Sequence, residues 1–333
     1  MNLPVIGVTM GDPAGIGPEL CLSICRDPAV RRIAVPVVFG SHGLLAKVAR
    51  MAGLPAPSAA MPLSEWRRHP VATAPMIVEV PAPALTAVRP GRVQRAAGVA
   101  ARRYVETAVE DAMAGRVAAI VTAPIHKEAW NLAGVPYPGH TEYLAYLTRA
   151  GKVCMTMASE KIVVSLVTTH TAFRAVPGGV RSDKIFQAIE LTRGALIRVH
   201  GREPRLVVLA LNPHAGEHGL IGDEEGRCID PAIRKARGKG WQVEGPVAPD
   251  TAFLPARLRA TDGYIAMYHD QGLIPFKMLA FETGVNITLG LPIVRVSPDH
   301  GTAFDIAWKG KASSSSMLSA VGWAVRLAEG TGK

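Results

Sequence analysis

Residues 183–217 read DKIFQAIELTRGALIRVHGREPRLVVLALNPHAGE. The pattern predicts a helix over Asp183–His200 and then an apolar run of strand length, Leu206–Leu211. The run ends in a polar cluster, Asn212-Pro213-His214-Ala215-Gly216-Glu217. Helix, buried strand and polar turn form the repeating unit of α/β proteins, and the same unit recurs on both sides. Upstream, a helix over Glu142–Thr148 leads to strands Val153–Met157 and Ile162–Val167. Downstream, a helix near Pro231–Arg237 precedes strand Tyr264–Met267. Strands Val285–Leu289 and Ile293–Ser297 then lead to helices Ala303–Trp308 and Met317–Ala328, with Ser313–Ser316 as a capping loop. In the first third, strands are expected at Val5–Thr9, Ala34–Phe39 and Ala118–Val121. An alanine-rich helix over Val93–Ala114 ends at Gly115. Eight prolines between Pro55 and Pro90 exclude one long helix there and leave a short strand near Met76–Val80. Strands alternating with helices imply an α/β fold with a largely parallel sheet.

The chain of 333 residues is long enough for about two domains. Hydrophobic residues make up 48% and charged residues 19%, with mean hydropathy +0.18, which excludes a disordered chain. No apolar stretch of about 20 residues is present, so no membrane span is expected. The N-terminus lacks a basic start and a long apolar segment, so no signal peptide is expected either. The four cysteines, Cys21, Cys25, Cys154 and Cys228, read as buried small hydrophobes of a reducing compartment, the cytoplasm. The net charge of +10 favours acidic partners. It is dispersed, however, and only 5% of residues are aromatic, poor material for stacking nucleic-acid bases.

Three polar clusters follow apolar strands and each carries a histidine: Thr168-Thr169-His170, Asn212-Pro213-His214 and Tyr268-His269-Asp270-Gln271-Gly272. In open α/β sheets ligands collect beyond the carboxyl ends of strands, so three such histidines can converge on one divalent metal. Read singly, each is an ordinary loop or core residue. Gly139-His140-Thr141-Glu142, Lys277, Asn286 and Arg295 could hold an anionic substrate; Lys277 and Arg295 could equally be surface charges. Asp250 reads either as a helix N-cap or as a carboxylate near a reaction centre. Gly11-Asp12-Pro13-Ala14-Gly15-Ile16-Gly17-Pro18-Glu19 follows a strand and opens a helix. Position 20 is Leu20, so the dinucleotide fingerprint fails, and no Gly-Lys-Ser/Thr follows. A structural turn and an anion-binding loop remain open for it.

These motifs, together with Gly284–Gly290 and Asp299-His300-Gly301-Thr302-Ala303, occur in one order between about residues 5 and 310. In that order they resemble the 4-hydroxythreonine-4-phosphate dehydrogenase family of vitamin B6 biosynthesis and its paralogues. The resemblance implies a two-domain fold like that of isocitrate and isopropylmalate dehydrogenases, with the active site in the interdomain cleft. The first domain would span 1–127 and 299–333. The second, 128–298, would carry the metal ligands and the interface of a homodimer. It further implies a divalent metal on His170, His214 and His269, zinc first and magnesium, manganese or cobalt as alternatives, with one ligand supplied across the dimer and the active site at that interface. Substrate contacts would fall on His140, Thr141, Lys277, Asn286 and Arg295. His300-Gly301-Thr302-Ala303-Phe304-Asp305 is similar to the cofactor loop of isopropylmalate enzymes, which places NAD, or alternatively NADP, on His300, Gly301, Thr302 and Asp305. Trp308 stands where related loops carry a small residue.

The activity implied is metal-dependent NAD oxidation of the secondary alcohol of 4-phosphohydroxy-L-threonine. The β-keto acid formed would decarboxylate to 3-amino-2-oxopropyl phosphate, with Asp250 or Lys277 as base. Thr171–Val176 departs from the biosynthetic pattern, so 4-phospho-D-erythronate or D-threonate is the alternative substrate. His140-Thr141 favours a phosphorylated substrate over the dihydrodiol of the terephthalate paralogues. A nucleic-acid-binding protein and a non-catalytic metal-binding protein of the same fold are the competing classes; neither nucleic acid nor membrane is an expected partner.

Overall fold

The computed structural model describes residues 3–330. Twelve strands follow in chain order: β1 Val5–Thr9, β2 Val35–Gly40, β3 Ala60–Pro62, β4 Met76–Glu79, β5 Ala119–Thr122, β6 Cys154–Ala158, β7 Val163–Leu166, β8 Leu206–Leu209, β9 Val243–Val247, β10 Gly263–Ala266, β11 Val285–Leu289 and β12 Arg295–Pro298. The chain divides into two compact units, one comprising residues up to Gly151 with Leu291–Ala328, the other built on Lys152–Gly290.

In the first unit the strand order is β3-β4-β2-β1-β5-β12, parallel throughout. Apolar runs such as Val5–Thr9 and Val35–Gly40 form central strands because both faces are covered, so nearly every side chain must be apolar. Ile6, Val8, Val37, Phe39 and Ile120 are fully buried. The helix Gly17–Arg26 buries Cys21 and Cys25 on one face, as expected from their spacing.

In the second unit the order is β11-β6-β7-β10-β8-β9, and only β6 runs against its neighbours. The helix His269–Ala280 closes the core over this sheet: its Leu273, Phe276 and Ala280 pack with Val164, Leu166, Val207 and Tyr264.

Four expectations change. Residues 303–308 are not a helix but successive turns, with Ala303 and Trp308 at positive φ. Asp250 does not cap a helix; Ala248 holds the N-cap of Pro249–Ala252, and Asp250 lies in the first turn. The edge strand β9 was not expected, because Glu244, Gly245 and Pro246 break its apolar run. The unit boundaries fall at 151/152 and 290/291 rather than 127/128 and 298/299. Helix His140–Thr148 joins the first unit through Tyr143, whose hydroxyl donates to Glu106 and whose ring meets Trp130 edge-on, and β12 pairs with β5.

Candidate active-site residues

The first unit builds an anion cradle. Arg295 opens β12 opposite Ile120 of β5, and Thr122 ends β5. Arg295 is 3% exposed, and its Nε and Nη2 both donate to Thr122 Oγ1, at 3.1 and 2.7 Å. Burial pulls the guanidinium down to about 9, against the opposing pull of Glu142, so it stays cationic at neutral pH. His140 is the first residue of helix His140–Thr148, and its ring stands edge-on to Trp130 at 5.2 Å. Burial holds this imidazole well below its usual range, and the Arg295 charge acts in the same direction. The buried His140 Nε2 has no hydrogen-bond partner among the described residues. A buried guanidinium, a neutral imidazole edge and the amides of a helix N-terminus at His140 and Thr141 together suit a phosphoryl group.

The loop after β12 lies on the loop after β1. Ile16 N donates to Thr302 O, and a Cβ on Gly15 would stand 2.8 Å from that same oxygen. The buried Glu19 carboxylate accepts from Trp308 N at 3.0 Å and Gly310 N at 2.6 Å, and Trp308 Nε1 donates to Pro13 O at 3.0 Å. The Gly11–Glu19 segment therefore has a structural role: its glycines permit close packing and its glutamate holds the second loop. Trp308 is 3% exposed and serves as an anchor for the loop. Phe304 stacks on His126 at 4.7 Å. Gly301 faces open space, His300 Nε2 is buried with no hydrogen-bond partner among the described residues, and Asp305 is exposed. An open backbone, an orphaned imidazole nitrogen and a free carboxylate fit the polar edge of a dinucleotide.

The second unit lines up the other candidates by topology. Strands β7, β10, β8 and β9 are neighbours in that order and parallel, so their carboxyl ends share one edge. The segments beyond them carry His170, His269, His214 and Asp250 in the same order. The His170 and His269 rings lie 5.8 Å apart, and His269 Nδ1 shares a 2.7 Å hydrogen bond with Asp270 Oδ1. His214 does not complete a trio in the chain; among the described residues no group of three His, Cys, Asp or Glu side chains could hold a metal. The paired imidazoles suit a borderline divalent cation, which needs further donors from outside the pair. Lys277 lies in the last turn of helix His269–Ala280 with its ammonium 5.3 Å from the Phe281 ring. Asn286 sits within β11 beside Met157 of β6, so this unit's register does not bring it to the strand-end row.

His214 begins an unusual stretch. His214, Ala215, Gly216, Glu217 and His218 have φ of 51, 55, 78, 42 and 57°, all left-handed. Non-glycine residues pay roughly 1–2 kcal/mol each there, so the surroundings must impose it. Just upstream, the buried Glu225 fixes the entry to the stretch: it accepts from Leu211 N, Asn212 N and Asn212 Nδ2, each at 2.8 Å. Thr122, Glu19, Glu225 and Gln271 escaped the sequence reading. Glu19 closes the Gly11–Glu19 motif and Gln271 lies in the third histidine cluster, but neither position reveals its distant partner.

Comparison with known proteins adds a family. The model for the pyridoxal phosphate biosynthetic protein PdxA matches residues 32–324. The 4-hydroxythreonine-4-phosphate dehydrogenase of Desulfosudis oleivorans is 45% identical, covering 99% of this chain and 98% of its own. The D-threonate 4-phosphate dehydrogenase of Salmonella typhimurium is 44% identical, covering 98% and 100%. The crystal structure of the 4-hydroxythreonine-4-phosphate dehydrogenase from Klebsiella pneumoniae superposes with TM-score 0.88 at 42% identity, covering 98% of each chain. At the level of fold alone, a β-decarboxylating dehydrogenase from Thermococcus kodakarensis is similar, with TM-score 0.50 at 13% identity over 95% of this chain and 81% of its own.

Proposed function

The chain belongs to the PdxA family and is a dehydrogenase, and from that premise we propose that it oxidises 4-phosphohydroxy-L-threonine with NAD. The secondary alcohol loses a hydride to the nicotinamide and a proton to a protein base. The β-keto acid then loses carbon dioxide to give 3-amino-2-oxopropyl phosphate. The observation that carries this reading is the Arg295–His140 cradle, a buried cation beside a neutral imidazole with a vacant nitrogen. With Thr141 it would hold the phosphate; Lys277 and Asn286 are the further candidates for substrate contact.

NAD would lie on His300, Gly301, Thr302 and Asp305, where the loop is held from below by Glu19; NADP is the alternative. His170 and His269 would hold one divalent cation, zinc first and magnesium, manganese or cobalt as alternatives, with His214 contributed by a second copy. When bound, that cation supplies a Lewis acid toward the carbinol oxygen and the neighbouring carboxylate. Asp250, exposed at the end of the strand-end row, is the first candidate to take the carbinol proton, and Lys277 the second.

A homodimer is supported by exposed apolar surface around the histidines. Ile274, Met278 and Phe281 are 60, 81 and 72% exposed, and their spacing puts them on one face of the helix that His269 begins. Phe173 and Leu220, also exposed, follow His170 and His214. The cytoplasm is the proposed compartment, because Cys21, Cys25, Cys154 and Cys228 are all free thiols. No helix among the described residues is long and apolar enough to cross a membrane.

The near-equal identity to a D-threonate 4-phosphate dehydrogenase favours one second reading, oxidation of 4-phospho-D-threonate or D-erythronate. All three compounds present a phosphate, a carbinol and a carboxylate. One assay decides: NADH formation from each, with and without added zinc. The highest kcat/KM on phosphohydroxythreonine with release of carbon dioxide is expected; preference for a sugar-acid phosphate selects the second reading, and no NADH from any of them rejects both.

A further inference from the structure

We propose that Gln271 is a positioning residue that fixes how His269 leaves β10 and faces His170, a role that rests on the histidine reading above. Strands β8 and β10 pair in parallel as Gly263↔Leu206, Tyr264↔Val207 and Ile265↔Val208. Two residues further, the same register puts Met267 opposite Ala210. There the Gln271 carboxamide stands between the chains: its Oε1 accepts from Met267 N and its Nε2 donates to Ala210 O, both at 2.7 Å. A carboxamide offers the same donor and acceptor as a peptide unit, so Gln271 acts as an inserted peptide that continues the ladder across two diverging chains. One of those chains reaches His269 two residues later; the other reaches His214 four residues later.

The surroundings leave that geometry little freedom. Gln271 is buried in the first turn of helix His269–Ala280, so its side chain is fixed to the element that starts at His269. Met267 O accepts from Thr168 N at 3.1 Å and Thr168 Oγ1 at 2.7 Å, which couples the chain leading to His170. On the far side, Glu225 fixes Leu211 and Asn212 just before the left-handed stretch. Three strand exits are thus tied in a row, Thr168 to Met267 to Gln271 to Ala210, and Gln271 is the member that spans the gap. A residue serving only to satisfy two buried backbone groups would affect stability alone; a positioning residue also affects how the imidazoles present their nitrogens.

The test is cobalt(II) titration of the full-length apo-protein, read by its visible absorption, with Gln271→Met, which keeps length and loses both hydrogen bonds. Cobalt binding is expected to weaken 10–100-fold with an altered absorption band. With metal added to saturation, kcat should fall more than tenfold while KM for NAD stays within twofold. Cobalt uptake and band unchanged, with only thermal stability lowered, overturns the proposal. If the methionine variant does not fold, Gln271→Glu, which keeps the acceptor toward Met267 and loses the donor toward Ala210, carries the same readouts. His269→Ala separates the two claims. Loss of cobalt uptake there with retention in the Gln271 variants defeats the positioning role alone, whereas retention in His269→Ala defeats the histidine reading and the role with it.

Discussion

Burial pushes the Asp12 carboxyl up to about 6, against the pull of backbone N–H groups at Ala14 and His126. Its Oδ1 accepts from Ala14 N at 2.8 Å, while Oδ2 has no hydrogen-bond partner among the described residues. A carboxyl raised above its unfolded value of 3.8 favours the fold fully below that value and loses the advantage as pH rises through 6. The shift corresponds to roughly 2–3 kcal/mol. Asp12→Asn keeps the Oδ1 acceptor and cannot ionise. Its stability relative to the parent should therefore improve by about that amount between pH 4 and 7.5, measured as urea midpoints; a difference independent of pH defeats this account. Arg295 makes the complementary case. Its two donors to Thr122 fix the plane of the guanidinium, which a lysine ammonium cannot reproduce. Arg295→Lys is expected to raise KM for the phosphorylated substrate about 10–100-fold, the worth of a charge-assisted hydrogen bond, with KM for NAD unchanged. Equal effects on both constants would show that the side chain supports the fold rather than the phosphate.

Among elements, the turns at 299–310 depend most on a distant partner. They hold no regular hydrogen-bond ladder, and Glu19 accepts the amides of Trp308 and Gly310. Glu19→Gln turns one acceptor into a donor facing an N–H, which should cost about 1–3 kcal/mol and raise KM for NAD several-fold while KM for the phosphorylated substrate stays constant. Steady-state kinetics with each substrate varied in turn checks this. The same loop shows where sequence reading ends. Strand β1 was legible to the residue, because a buried parallel strand advertises itself as an apolar run, and β11 through its alternating Val285, Ile287 and Leu289, although its partner β6 runs antiparallel. The expected helix over Ala303–Trp308 was not, because Ile306 N and Ala307 N close short turns on Ala303 O and Phe304 O while Trp308 N turns to the distant Glu19 carboxylate. Strand β9 was hidden by Glu244-Gly245-Pro246, and the left-handed turn at His214 by residues that rarely adopt it, entered from a segment that Glu225 anchors. Of the site, motif order suggested His140 and Arg295, which the fold brings together; the link of Arg295 to Thr122 was invisible. The histidines were found one by one; that the exits leading to His170, His269 and His214 are neighbours, with the first two rings 5.8 Å apart, follows from strand order and packing, which a linear reading lacks.

At the scale of the whole molecule, the proposed homodimer rests on the histidine row and the apolar stripe taken together. Strand order makes His170 and His269 neighbours, and the helix begun by His269 exposes Ile274, Met278 and Phe281. A two-fold dimer uses one patch twice, so a stripe beside the His170–His269 pair would bring equivalent segments of both copies together. If the third ligand is the partner subunit's His214, a site needs His170 and His269 from one chain and His214 from the other. Purified His170→Ala and His214→Ala homodimers should then each be inactive. Unfolded, mixed in equal amounts and refolded, half the dimers would carry both mutations, one on each chain. In such a dimer one site collects both defects and the other is intact, so roughly a quarter of parental activity should return. Were all three histidines to act within one chain, every site in the mixture would stay broken and no activity would return. Met278→Asp in the parental chain should abolish both the dimer, by sedimentation, and metal retention, since a charge cannot be buried unpaired across the stripe. A monomeric variant that kept its metal would place the third donor within the chain.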